Sequence, residues 1–395
     1  MMSFSEANSL IIEHARSFGT EKVSLDEAVG RVIAEKIVAD RDYPPFNRAA
    51  MDGYAINHED WKNGHRIFTV RELIFAGSVS ETSIQSGECY KIMTGAAVPE
   101  QANAIIRKED VIEVGDRVEC SLEDLKALQH ISKRGEDLKE GEQIYSEAVV
   151  CSPAVIGLLA SIGKHLVLVQ RLPRLSIITT GDEVVSVGNP VNNVQIRNSN
   201  SHVLKALLKK WGIIPASCTH VADQLHEIES VVRAGLSGDI IIICGGISAG
   251  DADYVPLVLN KIGATTIFHK VAIKPGKPVW FGKFDAGPII FALPGNPFSC
   301  LVTFKLFIEN FLSHSFRCGN TYHLGLPLIG TRSKKSQLDE FFPVKINGSP
   351  SYFELIPFNG SGDITAAMGA SAIARHPALM NEILSGTILD GYPLF

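Results

Sequence analysis

Apolar positions three and four apart over residues 5–18 and 25–36 predict two helices at the start of the chain. The next stretch, DRDYPPFNRAAMDGYAI, carries two prolines and reads as a long irregular connector. From about residue 65 to 125 the pattern shortens to β-like runs, RIFTVREL, CYKIM, NAIIRKEDV and RVECSL, separated by Gly and Pro turns. That is the signature of a small β-rich domain. KRGEDLKEGEQI closes it, and a helix near Pro153 to Leu159 leads out. From Pro173 onward strands alternate with helices: LSIITTGDEV, then SNSHVLKALLKKWG, IPASCTHVAD, LHEIESVVRAG, DIIIICGG and YVPLVLNKIG. TTIFHKVAI, PVWFG and IIFALPG follow as strands before the helix FSCLVTFKLFIENFL. Strands alternating with helices this long imply a doubly wound parallel sheet. The tail (FFPVKING, YFELIPFNGSGD) returns to short strands with frequent Gly and Pro, and reads as a small barrel or sandwich. The expected organisation is a linking domain of residues 1–44 plus 138–170, a β-rich domain of 45–137, an α/β domain of 171–320 and a C-terminal β domain of 321–395.

Composition changes this picture little but excludes some functions. A chain of 395 residues suits several domains. A net charge of −6 argues against non-specific nucleic-acid binding as its task, though not against an anionic small ligand. The seven cysteines form no CxxC pair, which excludes the usual structural zinc patterns and fits buried free thiols in a reducing cytoplasm. The N-terminus lacks the basic start and apolar run of a signal peptide. The most apolar stretch, residues 148–162, contains Pro153 and Gly157 and is too short to span a bilayer. The sequons at Asn347 and Asn359 are then chance matches in a soluble cytoplasmic protein.

Candidate chemistry gathers at the ends of the predicted strands. Four isoleucines, Ile240 to Ile243, read as a strand buried on both faces, and Gly245, Gly246 and Gly250 follow it with Asp251 and Asp253 just beyond. Asp182 and Glu183 stand after another strand, and Asp223 after a third. Each taken singly also suits a helix cap, but three acidic placements at strand ends of one sheet point to Mg²⁺ held by carboxylates. Lys270, Lys274 and Lys277 supply the opposite charge, with Lys274 and Lys277 on the turn KPGK; lysine meets phosphate as a point charge. A lysine-rich surface turn is the plainer alternative. In LPGNPFS, Asn296 is placed to cap a helix with Pro297 in its first turn, so that the first N–H groups face an anion. Asp52-Gly53-Tyr54 and Thr94-Gly95 are explicable as turns. No GxGxxG, Walker A, HExxH or GxSxG occurs. His220 and His226, six apart, suit core or surface positions better than one helical face.

Taken in order, PPFNRAAMDGYA, KIMTGAAVPE, RGEDL, TTGDEV, QIRNSN, GGISAGDADY, KVAIKPGKP and ALPGNP resemble the molybdopterin molybdenumtransferases, the MoeA family that also includes the C-terminal domain of gephyrin. The strings span roughly residues 40 to 300, and their combination is specific although no single one is. The resemblance implies a multidomain α/β fold: a MogA-like molybdopterin-binding sheet domain, a small β-rich domain, a linking domain and a C-terminal barrel-like domain. It implies molybdenum insertion, in which adenylylated molybdopterin and molybdate react with Mg²⁺ present and AMP leaves. It assigns Asp52, Thr94, Asp182, Glu183, Asp223, Asp253, Lys270 and Lys274 to the reaction, with Asp182, Glu183 and Asp253 toward the metal. Gly245, Gly246, Ser248, Gly250, Lys277, Pro294, Gly295, Asn296 and Pro297 would bind substrate, as would Arg134, Asp137 and Ser361. It also implies a homodimer with Asp52 and Thr94 facing the partner subunit's sheet domain, and a molybdopterin adenylyltransferase as a partner. Ala49 replaces the family's usual Ser, and Asn47 a commonly acidic residue, which touches supporting contacts rather than the fold. Two competing functions are a molybdopterin adenylyltransferase, which would need only the sheet domain, and a catalytically silent scaffold or binding paralogue, which would have lost acidic or lysine positions that this chain keeps.

Overall fold

The computed structural model describes residues 1–146, 148–247, 254–318 and 323–394. The chain packs into two compact units, Met1–Ala34 with Ala148–Ile156 and Leu166–Phe395, and Glu35–Glu147 with Gly157–His165.

The larger unit is built on a six-stranded sheet: β1 (Leu175–Thr180), β2 (Ser217–Val221), β3 (Ile240–Cys244), β4 (Thr265–His269), β5 (Trp280–Lys283) and β6 (Ile289–Leu293), in the order β2-β1-β3-β6-β5-β4. The isoleucine run behaves as its composition demands. Ile240 and Ile242 enter the core on one face with Leu175 and Ile177, while Ile241 and Ile243 enter the core on the other with Ile178 and Val258. Burying one such side chain contributes about 1.5–3 kcal/mol, so this strand is a main anchor of the unit.

Four strands (β2, β1, β3, β6) are parallel, but β5 runs antiparallel to β6 and β4 antiparallel to β5. The expectation of a wholly parallel sheet is corrected here. Only residues 284–288 separate β5 from β6, far too few for a crossover, which needs about a dozen or more. The predicted strand TTIFHKVAI also divides. Lys270 takes a positive φ of 69°, ending β4, and Ile273–Lys274 joins a different sheet, beside Asp339 and Glu340.

That second sheet closes on itself. Asp339–Asn347 pairs with Tyr352–Leu355, then Leu324–Ile329, Ile388–Pro393 and Ala372–His376 follow, and the last pairs back onto Asp339–Asn347. The tail is thus a five-stranded barrel around Leu328, Phe342, Val344, Phe353 and Leu389. At the chain start, the first helix is Phe4–Glu13, with Ser3 and Glu6 forming a capping box. The second predicted helix is short, Leu25–Ala28. Gly30 turns the chain with φ +75°, and Val32 and Ile33 bridge to Val150 and Val169 instead.

The smaller unit holds its own six-stranded sheet, in the order Ala104–Arg107, Gly53–Ile56, Glu88–Ile92, Ile67–Ile74, Arg117–Cys120, Val111–Val114. Alternation along the central strand sends Tyr54 and Ile56 to one core and Ala55 to the other. Gly53 is obligatory there, because a Cβ would lie 2.0 Å from the Ile106 carbonyl oxygen. The thiols fit the sequence reading except Cys218, which is exposed, and Cys318, which is half-buried. No helix among the described residues is long and apolar enough to cross a membrane.

Candidate active site

The register of the parallel strands decides where the chemistry lies. Thr180 pairs with Val221, Thr179 with Cys244, and Cys244 with Leu293, so β1, β2, β3 and β6 all end along one edge. The residues that follow them, Gly181 and Glu183, Asp223, Gly245 and Gly246, and Pro294 through Pro297, line one cavity of about 760 Å³. It sits at the carboxyl ends of the strands, where β1 is flanked by β2 and β3, the usual ligand position of open α/β sheets.

Backbone geometry makes the glycines necessary. Gly245 has φ +106°, and a Cβ there would lie 2.7 Å from the Thr180 carbonyl oxygen and 2.8 Å from its hydroxyl. Gly245→Ala is therefore expected to destabilise the larger unit by about 2–4 kcal/mol, through strain and overlap together. Urea denaturation measures it; a loss below half a kcal/mol would show that the turn relaxes.

Asp223 does not cap the helix Leu225–Gly235, whose cap position is Gln224. Its backbone N–H instead donates to Asp182 Oδ1 at 3.0 Å, tying the loop after β2 to the loop after β1. Burial pushes the Asp223 carboxyl above its ordinary range, and the Asp182 and Glu183 carboxylates push the same way. Its Oδ1 is buried with no donor at ordinary hydrogen-bond geometry among the described residues, although the Thr180 hydroxyl lies close enough to favour the ionised form. Thr180 Oγ1 and Asn200 Oδ1, on the same cavity, are in the same condition. Buried polar atoms are nearly always partnered, so three such oxygens beside one cavity stand out.

Asn296 stands at the cap position of the helix Pro297–Thr303 but makes no side-chain cap. Its Nδ2 donates to Ser361 Oγ at 2.8 Å, and the Phe298 N–H donates to the Ser361 carbonyl oxygen at 3.2 Å. The tail thereby reaches the site, and its Gly362 and Ile364 line the cavity.

The lysines lie on the loop between β4 and β5, whose Pro278 lines the cavity, while Lys270, Lys274 and Lys277 are not among the lining residues. Lys274 Nζ is 3.3 Å from Glu340 Oε1 of the barrel. Burial opposes ionisation of Glu340, but Arg332 and Lys274 outweigh it and hold the carboxyl below its usual range. Ser248, Gly250, Asp251 and Asp253 lie outside the described residues.

In the smaller unit, register brings together two residues that sequence alone left as separate turns. Gly53 pairs with Ile92, so Asp52 and Thr94 emerge at the same end of neighbouring strands. Asp52 Oδ1 accepts from the Thr94 N–H at 2.7 Å and from its hydroxyl at 2.8 Å. These bonds, the backbone one first, hold the Asp52 carboxyl below its usual range. Nearby in sequence, the Arg134 guanidinium pairs with Asp42 at 2.7 Å, and Asp137 is exposed.

Sequence reasoning gave no role to Thr180, Asn198 or Asn200. Asn198 Nδ2 donates to Thr179 Oγ1 at 2.8 Å, and its Oδ1 accepts from the Ser201 N–H at 3.1 Å, so it ties the sheet to the helix Asn200–Lys209. The string QIRNSN was visible, but its acceptors belong to strands far away in the chain.

Residues 2–163 match the MoeA N-terminal region (domain I and II), and residues 176–314 match a probable molybdopterin binding domain. A molybdopterin molybdenumtransferase of Staphylococcus epidermidis is 33% identical over 98% of this chain and 94% of its own length. The chain belongs to the molybdopterin molybdenumtransferase family and is a transferase. A Synechocystis member is 31% identical, covering 99% of this chain and 100% of its own. Among solved structures, the molybdopterin biosynthesis MoeA protein of Pyrococcus horikoshii superposes with a TM-score of 0.83 at 28% identity, over 99% of each chain. The family likeness thus extends over both units and the barrel, not the sheet domain alone.

Proposed function

We propose that this transferase acts in molybdenum cofactor biosynthesis at the metal-insertion step. Adenylylated molybdopterin and molybdate are its substrates: water breaks the anhydride, so AMP leaves and a phosphate stays on the molybdopterin, and the two dithiolene sulfurs bind molybdenum while their protons carry one molybdate oxygen away as water. What carries the reading is the cavity at the carboxyl ends of the parallel strands, lined by Glu183, Asp223 and the glycine turns. The full-length likeness to molybdenumtransferases supports it over an adenylyltransferase, which would need only the sheet domain.

Among the described residues no cluster of three or more Asp, Glu, His or Cys forms a closed metal site. Mg²⁺ does not require one, since one or two carboxylates, water and substrate phosphate complete its shell. The Asp223 carboxylate, with the like charges of Asp182 and Glu183 close by, fits such an ion. Asp223 and Glu183 would hold it, with Asp182 steadying the Asp223 loop. When bound, the ion neutralises charge on the phosphoanhydride and its leaving group. The chain's own groups do the rest. Glycine turns let the backbone approach the ligand. The lysine loop, whose Pro278 lines the cavity, would bring ammonium groups to molybdate. We further propose a homodimer in which Asp52 and Thr94 complete the partner subunit's site, and a cytoplasmic setting in which an adenylyltransferase supplies the substrate.

The test is AMP release from adenylylated molybdopterin, with and without molybdate and with Mg²⁺ or a chelator. Release that requires both is expected. Release indifferent to molybdate would overturn the insertion step, and release unaffected by the chelator would overturn the metal assignment.

A further inference from the structure

Arg197, in the string QIRNSN, is the only lysine or arginine among the described residues that line the cavity. The other charged residues of that lining, Glu183 and Asp223, are acidic. Its backbone is pinned on both sides. The Ile196 N–H donates to the Glu183 carbonyl oxygen at 2.8 Å and the Asn198 N–H to the Val185 carbonyl oxygen at 2.8 Å, so Ile196–Arg197 runs as a short parallel strand beside Val184–Val185. The Ser199 N–H then donates to the Arg197 carbonyl oxygen at 2.8 Å, just before the helix Asn200–Lys209. Arg197 therefore springs from a fixed point, one strand away from the loop that carries Glu183. The residue is exposed and, among the described residues, has neither an ion pair nor a side-chain hydrogen bond.

A guanidinium stays charged throughout the working pH range and presents a planar fork of N–H donors, which matches two phosphate oxygens at once. This one shares a cavity with two carboxylates and is held by neither, so its donors remain open to a ligand. The anhydride of adenylylated molybdopterin brings in two phosphates, each negatively charged. The rest of the described lining is neutral or acidic and does nothing to balance them. We infer that Arg197 binds the diphosphate bridge of the substrate through charge-assisted hydrogen bonds. This rests on the functional reading above and deepens it: the cation that grips the organic substrate is then distinct from the lysine loop that serves molybdate.

The experiment compares Arg197→Leu with the wild type in molybdate-dependent AMP release, varying each substrate in turn. The KM for adenylylated molybdopterin is expected to rise about 10- to 100-fold, the scale of losing hydrogen bonds to a charged group, while the KM for molybdate stays the same. Arg197→Lys keeps the charge without the fork and should recover part of the loss. A second measurement needs no turnover: calorimetric titration with ADP-ribose, which carries an adenosine diphosphate bridge, and with adenosine, which carries no phosphate. Arg197→Leu should weaken ADP-ribose binding by about 10- to 100-fold and leave adenosine binding as it was. A rise in the molybdate KM instead would give Arg197 to the oxyanion and overturn the inference. Equal weakening of ADP-ribose and adenosine would make the residue merely structural, and unchanged KM and ADP-ribose binding would leave it a solvated surface group; either result overturns it too. A wild type that releases no AMP but binds ADP-ribose through Arg197 would overturn the functional reading alone. One that neither releases AMP nor binds ADP-ribose would overturn both.

Discussion

Asp223→Asn is expected to lower molybdate-dependent AMP release by about 100-fold or more, the scale of losing one group that handles charge at a reacting centre. The same change should leave the fold as stable as before, or more so, at neutral pH. The two expectations share one cause. Asp223 is half-buried beside two other carboxylates, and burial with like charge outweighs the help that the Thr180 hydroxyl gives its carboxylate. Its folded pKa lies above the ordinary 3.8, so between these two values the folded state binds more protons than the unfolded state. By linkage, stability then falls as pH rises through that window and stays lower above it. Asn does not titrate. The stability difference between variant and wild type should therefore grow in the variant's favour from below pH 3.8 upward, measured by urea denaturation in chelator. A difference that does not change with pH would mean the carboxyl is not destabilised by its site. Activity that survives would remove it from the reaction. A position that costs stability yet carries activity is what a ligand site produces.

Much of this site was legible in the sequence because its parts are local. A short run of β-branched isoleucines ending in glycines favours a strand buried on both faces, and glycines and acids directly after strands fall at the sheet edge. The remainder depended on partners distant in the chain. Lys274 was legible as a cation, but Glu340, 66 residues on, is not foreseeable from the KPGK turn. The same holds for Ser361 on Asn296, which turns an expected helix cap into a contact between the tail and the site. Strand direction was also hidden, since β5 and β6 have the same composition in a hairpin as in a crossover, and only the short connection decides. Asp52 and Thr94 each looked like an ordinary turn. Their meaning came from the pairing of Gly53 with Ile92, which no local pattern encodes.

That pair supports the second large effect. Asp52 spends one carboxylate oxygen on both Thr94 donors, is exposed, and is held by those bonds below the ordinary carboxylate range. Asp52→Ala removes two hydrogen bonds that are both open to water, so thermal stability should change only modestly. Release of AMP is nevertheless expected to fall by about 100-fold if the group meets substrate. Co-expression with Asp223→Asn then asks where it acts. Mixed dimers, isolated through two different tags, combine one sheet domain with an intact Asp223 and one small domain with an intact Asp52, on different subunits. If the subunits complete each other's sites, one of the two sites in each mixed dimer is wholly wild type, and about half the wild-type activity per dimer returns. If both residues serve a site within one subunit, every site keeps one defect and the mixed dimer stays as inactive as its parents. Failure to recover any doubly tagged protein would instead reject the dimer. Recovery to about half would assign Asp52 of one subunit and Asp223 of the other to the same reaction.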